Sequence, residues 1–233
     1  MHDMGVRCIA MRITWLGHAA FLLESGGRRV LIDPFITGNP VSPVKAEDIE
    51  CDIIVVTHGH ADHLGDAIPI AKRTGATIFA IYEIAVYAQE HGAKAEGMNI
   101  GGTMEAEGVS ISLVPAWHSS SYEGRYLGMP CGAVVKMKDE RTVYHAGDTG
   151  YFSDMQYIAT RYDPKILMLP IGGVYTMDAR DAAEAVKLFN AEYVVPMHYR
   201  TFPVLAQSAQ EFVSLVGDRA KVLVLNPGES IEV

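Results

Sequence analysis

Apolar positions along the chain fall into short runs of two kinds. After Met11, "RITWL", "AAFLLE" and "RVLID" read as successive strands, and "SGGR" between the last two is a hairpin turn signal. "DIIVVT" is a continuous β-branched run, as expected of a strand covered on both faces. "LGDAIPIAKRTG" reads as a short helix stopping at Gly75, with Pro69 near its first turn. "TIFA" and then "EIAVYAQEHG" continue as strand and helix. Downstream, "VSISLVPA", "GAVVKM", "RTVYHAG", "PKILMLPI", "EYVVPMH" and "KVLVL" read as strands. "YFSDMQYIATRY", "TMDARDAAEAVKLFN" and "LAQSAQEFVSLVG" read as helices, the second capped by Asp178. Strands in clusters with helices between them predict an α/β chain with two packed sheets flanked by helices.

The polar residues interrupt this pattern at consistent places. Asp33, His58, His118, Asp148 and His198 each close a predicted strand. Strand ends in layered α/β folds gather at one rim, where sites are built. The run His58-Gly59-His60-Ala61-Asp62-His63 adds three further polar groups at one of those ends, on small spacers that let the backbone turn tightly. Imidazole and carboxylate are ligands for zinc and its neighbours. His58, His60, Asp62, His63, His118, Asp148 and His198 make seven candidate ligands. That is too many for one tetrahedral ion, and it suits two ions with three terminal ligands each and one shared carboxylate.

Composition narrows the setting. The chain has 233 residues and a net charge of −9, with Lys and Arg scattered, which argues against nucleic acid as a partner. Its three cysteines form no CxxC pair, so a reducing, cytoplasmic setting is expected. No apolar run has the length of a membrane span. Residues 1–10 lack periodicity and are expected to be a loose extension ahead of a single domain over residues 11–233.

Thr57-His58-Gly59-His60-Ala61-Asp62-His63 resembles the THxHxDH signature of the metallo-β-lactamase superfamily, and "LIDP", His118, Asp148 and His198 match its later positions in order. "TWLGHAAFLLE", "HAGDTG" and "MHYRTFP" resemble a branch of small metal-dependent hydrolases that is similar to ascorbate-6-phosphate lactonase. The resemblance implies an αββα sandwich with a dinuclear site at the edge of its sheets. It implies that His58, His60 and His118 hold one ion, that Asp62, His63 and His198 hold the other, and that Asp148 bridges. A metal-bridging hydroxide would then cleave an ester, lactone or phosphodiester bond in a small substrate, an anionic one included, with Asp62 able to take a proton. Zinc fits the donor set best, and manganese, iron or nickel would also bind. Asp148 stands where antibiotic-hydrolysing members carry cysteine, and His60 where the redox di-iron branch carries glutamate, which disfavours both activities. The alternatives are a non-catalytic, metal-stabilised binding member and, behind it, a redox di-iron protein.

Around the seven, Asp33 is expected to hydrogen-bond the motif loop, and His18 to lie near the metals as a support or substrate-facing group. His145, inside its strand, is expected to support rather than to ligate. Arg125, Tyr199 and Arg200 are candidate substrate contacts, since a guanidinium beside two cations suits an anionic substrate. Similar lactonases form oligomers, so a homo-oligomer is a further expectation.

Overall fold

A computed structural model describes residues 11–137 and 141–233; the proposed N-terminal extension lies outside the described residues. Two seven-stranded mixed sheets form the centre of the molecule. The first contains β1 (Arg12–Gly17), β2 (Ala20–Ser25), β3 (Arg28–Ile32), β4 (Ile53–Val56), β5 (Thr77–Ile81) and β6 (Ala95–Met98). The second contains β7 (Thr103–Ala106), β8 (Val109–Pro115), β11 (Cys131–Met137), β12 (Thr142–His145), β13 (Ile166–Pro170), β14 (Tyr193–Met197) and β15 (Lys221–Val222). A short hairpin, β9 (Ser121–Tyr122) with β10 (Arg125–Tyr126), stands apart from both. The last strand, β16 (Ser230–Glu232), returns to the first sheet and pairs antiparallel with β1. This is the αββα sandwich of the metallo-β-lactamase fold.

In both sheets an antiparallel segment leads into a parallel one. β1, β2 and β3 form a meander, after which β3, β4, β5 and β6 run parallel. β12 to β15 repeat the parallel arrangement in the second sheet. Parallel strands need crossovers. These are supplied by α2 (Ala67–Thr74), α3 (Tyr82–Glu90), α4 (Met155–Tyr162), α5 (Ala179–Val186) and α6 (Gln210–Val216), while α1 (Ala61–Leu64) is a single turn inside the histidine motif. β4 and β13 are buried along their whole length, in line with their continuous apolar sequences.

Local chemistry accounts for the ends of these elements. Pro69 is the third residue of α2, where its missing N–H costs no hydrogen bond, and Gly75 ends the helix in the left-handed region. The Asp178 carboxylate accepts from the N–H groups of Arg180 and Asp181, both at 2.9 Å, and caps α5. α4 and α6 begin later than their apolar patterns suggest, because residues 151–154 and 205–209 form loops near the site. "KVLVL" contributes only a two-residue strand. Among the described residues, no helix is long and apolar enough to cross a membrane.

Candidate metal centre

The strand-end residues do meet at one edge of the sandwich. His58, His60 and His118 form one group, and Asp62, His63, His198 and His18 another; within each group one donor atom per residue lies within 4.8 Å of the others. In the first, His60 Nδ1 is 3.1 Å from His58 Nε2 and 3.2 Å from His118 Nε2. In the second, Asp62 Oδ2 lies 3.9 Å from His198 Nε2. Asp148 stands between them: Oδ1 is 3.1 Å from His63 Nε2, and Oδ2 is 2.9 Å from His198 Nε2 and 3.5 Å from His118 Nε2.

These atoms are close but poorly satisfied. His63 Nε2, Asp148 Oδ1 and both ring nitrogens of His198 are buried without a hydrogen-bond partner among the described residues. Leaving such a group unpaired costs about 1–3 kcal/mol. Imidazole nitrogens and carboxylate oxygens converging on shared points are what divalent cations require, so the donor set fits metal ions. Electrostatics agree. Burial raises the pKa of Asp148, but His63 and His198 outweigh it and hold the carboxyl well below its ordinary range. Burial likewise disfavours protonated His63, and Asp148 and Asp33 on its two sides outweigh that, so its pKa rises well above normal. Burial keeps His58 neutral, as a ligand must be.

Asp33 does more than brace the motif loop. Its carboxylate accepts from Thr57 N–H at 2.8 Å, from Thr57 Oγ1 at 2.6 Å and from His63 Nδ1 at 2.7 Å. With the Thr57 hydroxyl proton directed to Asp33, Thr57 Oγ1 accepts from His58 Nδ1 at 3.1 Å. One buried carboxylate thus sets the tautomer of one histidine in each group and turns both Nε2 atoms toward the cluster.

His18 is buried and packs against His198, ring centroids 4.0 Å apart and planes tilted by 44°. Its Nε2 is 3.1 Å from Asp62 Oδ2 and its Nδ1 is 2.9 Å from Thr201 Oγ1. Burial lowers its pKa to about 4 against the opposing pull of Asp62. Neutral His18 therefore donates from Nε2 to Asp62 and accepts from the Thr201 hydroxyl. Because His18 stays neutral when folded but takes up a proton when unfolded below pH 6.5, stability should fall as pH drops from 6.5 toward 4. For the metal-free protein the loss is about 3 kcal/mol. Urea unfolding of wild type and His18→Gln at both pH values measures it; equal pH slopes would contradict the assignment.

Both ring nitrogens of His145 have backbone partners. Its Nε2 donates to Ala19 O at 2.9 Å and its Nδ1 accepts from Gly147 N–H at 3.1 Å, linking the two sheets behind the site. Three candidate substrate contacts are placed differently from expectation. Arg125 lies on the β9–β10 hairpin, pairs with Glu90 at 2.5 Å and sits over the Tyr87 ring, so its charge is engaged away from the cluster. Tyr199 is buried and stacks on Trp15 at 5.6 Å with planes 6° apart; it packs under the site rather than facing a substrate. Arg200 lies over the Tyr199 ring and lines a cavity of about 250 Å³ with Gln207 and Gln210.

Backbone geometry singles out residues that the sequence reading had already named, and Ser120 beside them. His18, Asp33 and His198 all have positive φ, at 56°, 45° and 56°. Such left-handed non-glycine residues collect at functional sites. Gly172, in the loop before α5, passes so close to His198 that a Cβ there would collide with the His198 carbonyl oxygen. Thr201, Ser119 (Oγ 3.3 Å from His60 Nε2) and Ser120 (accepting from Gly59 N–H at 3.0 Å) complete the surroundings.

Comparison with known proteins agrees with this geometry. Residues 12–198 match the family described as the beta-lactamase superfamily domain, and the chain belongs to that superfamily. More narrowly, it belongs with the UPF0173 metal-dependent hydrolases. It is 52% identical over 230 residues to the one from Methanopyrus kandleri, covering 95% of this chain and 100% of that protein. The relative from Thermococcus kodakarensis is also 52% identical, over 225 residues, with 95% and 99% covered. The structure of Igni18, a metallo hydrolase from the hyperthermophilic archaeon Ignicoccus hospitalis, superposes with a TM-score of 0.89 at 46% identity, covering 96% of this chain and 98% of that one. The chain is a metal-dependent hydrolase of the metallo-β-lactamase superfamily.

Proposed function

We propose that the chain is a dinuclear hydrolase of small-molecule esters, lactones or phosphodiesters. His58, His60 and His118 would hold one divalent ion, Asp62, His63 and His198 the other, and Asp148 would reach both. The supporting observation is the Asp148 carboxylate, which is buried, only partly hydrogen-bonded and within 3.5 Å of histidines from both groups. Five imidazoles and two carboxylates suit zinc, and manganese, iron or nickel where supply favours them. Two such ions supply an activated water at neutral pH and an electrophile for a substrate oxygen, as a single zinc does when it brings the pKa of water from ~15.7 to ~7.

The chain's own residues then have separate tasks. Asp33 fixes the rings of His58 and His63, directly and through Thr57. Asp62 would take a proton during the attack. Its side chain is 28% exposed, and although burial works against its charge, His18 and His63 hold it ionised. His18 fixes the orientation of Asp62, and Thr201 fixes that of His18.

A screen of ester, lactone and phosphodiester substrates with zinc- or manganese-loaded protein tests this reading. Asp62→Ala is the control and should lower turnover by about 10²-fold or more. Turnover that is equal in wild type and variant would refute it.

A further inference from the structure

The loops that carry or adjoin the candidate ligands His118 and Asp148 also carry exposed aromatic residues. Trp117 is 71% exposed, Tyr175 57% and Tyr151 43%. Singly, exposed aromatics need no explanation; several on one rim mark a binding surface. The loops that carry these three are tied to one another by hydrogen bonds. Trp117 precedes His118, its N–H donates to Thr149 Oγ1 at 2.9 Å, and its carbonyl accepts from Gly150 N–H at 3.1 Å. Tyr151 follows that glycine, three residues after Asp148. Thr149 O in turn accepts from Met177 N–H at 2.9 Å, and the turn closed by Gly173 N–H to Met177 O at 3.0 Å carries Tyr175. On the second metal's side, Phe35 and Phe202 are partly exposed, 6.3 Å apart, with their edges toward His18.

The loops bordering the candidate metal-binding cluster thus carry exposed aromatic residues. The two arginines that might have selected an anion are engaged elsewhere, Arg125 with Glu90 and Arg200 over Tyr199. We infer that the substrate carries an uncharged alkyl or aromatic group beside its scissile bond, held between Trp117, Tyr151 and Tyr175, so that the rim selects an apolar ester or lactone over a phosphorylated one. This rests on the dinuclear reading above.

The test uses straight-chain alkyl hydroxamic acids, from aceto- to octanohydroxamic acid, which share a metal-binding head and differ in tail length. Calorimetric titration of the zinc-loaded protein should show Kd falling about two- to fourfold per methylene, the upper value corresponding to ~0.8 kcal/mol for a fully buried CH₂. Trp117→Ala and Tyr175→Ala should reduce that dependence by half or more, and Trp117→Phe should restore it. Trp117 is one of two tryptophans and Trp15 is buried, so long-chain members should also blue-shift the intrinsic fluorescence. Affinity independent of chain length, or a dependence unchanged in Trp117→Ala, would overturn the inference while leaving the metal centre intact. Tighter binding of phenylphosphonate than of the aryl hydroxamate of equal size would also overturn it. So would sedimentation showing that Trp117→Ala breaks a dimer without changing the chain-length dependence, which would assign the rim to a second copy. Failure of any hydroxamate to bind would overturn the inference together with the dinuclear reading.

Discussion

Asp148→Ala should cost on the order of 10³-fold in turnover and reduce bound metal from two ions to one or none per chain. Asp148 approaches His118, His63 and His198, and so touches both groups of donors. Removing it would take away the anion proposed to offset two cations, and it leaves His63 Nε2 and His198 Nε2 buried without the oxygen they face. Asp148→Asn keeps the volume and one acceptor but not the charge, so it should fall between wild type and Ala. Elemental analysis after dialysis, beside rates on whichever substrate the screen identifies, measures both effects. An alanine variant that retains two ions and full rate would remove Asp148 from the centre.

Asp33→Ala should damage the fold and the site together. The carboxylate is fully buried and receives three hydrogen bonds. Removing one partner from such a network costs about 3–5 kcal/mol, readable as a lower urea midpoint of the metal-free protein. The remaining folded fraction should bind metal about 10–100-fold more weakly, because the rings of His58 and His63 lose the groups that fix their tautomers. The weakening should affect both ions, since one ring belongs to each group. Loss confined to one ion would limit the role of Asp33 to its direct partner, His63.

Much of this site was legible from the chain because its chemistry sits where strand patterns end. His58, His118, Asp148 and His198 follow runs whose hydrophobicity alone marks them as strands. β4, β12 and β14 belong to parallel segments, and β8 runs in the same sense as β12 across the antiparallel β11, so these ends reach one edge. What escaped the sequence depends on contacts with no local signal. Trp15 and Tyr199 lie at opposite ends of the chain, so nothing near Tyr199 shows that its ring turns away from the site to stack on Trp15. Arg125 reads as a free cation until Glu90, on a separate helix, is placed beside it. The link from Asp33 through Thr57 to His58 requires β3 and β4 to be neighbours, which adjacency in sequence does not establish. The same holds for Gly172, whose importance appears only when His198 is packed against it. Polar or very short strands such as β6, β7 and β16 carry too little periodicity to be read, and they owe their conformation to the sheet edges they join.

The central claim is that these side chains hold two ions around one shared carboxylate. Anomalous diffraction from zinc-grown crystals tests it most directly. The account predicts two peaks about 3.5–4 Å apart, one against His58 Nε2, His60 Nδ1 and His118 Nε2 and the other against Asp62, His63 and His198, with Asp148 between them. A single peak, or none, at saturating zinc would contradict it.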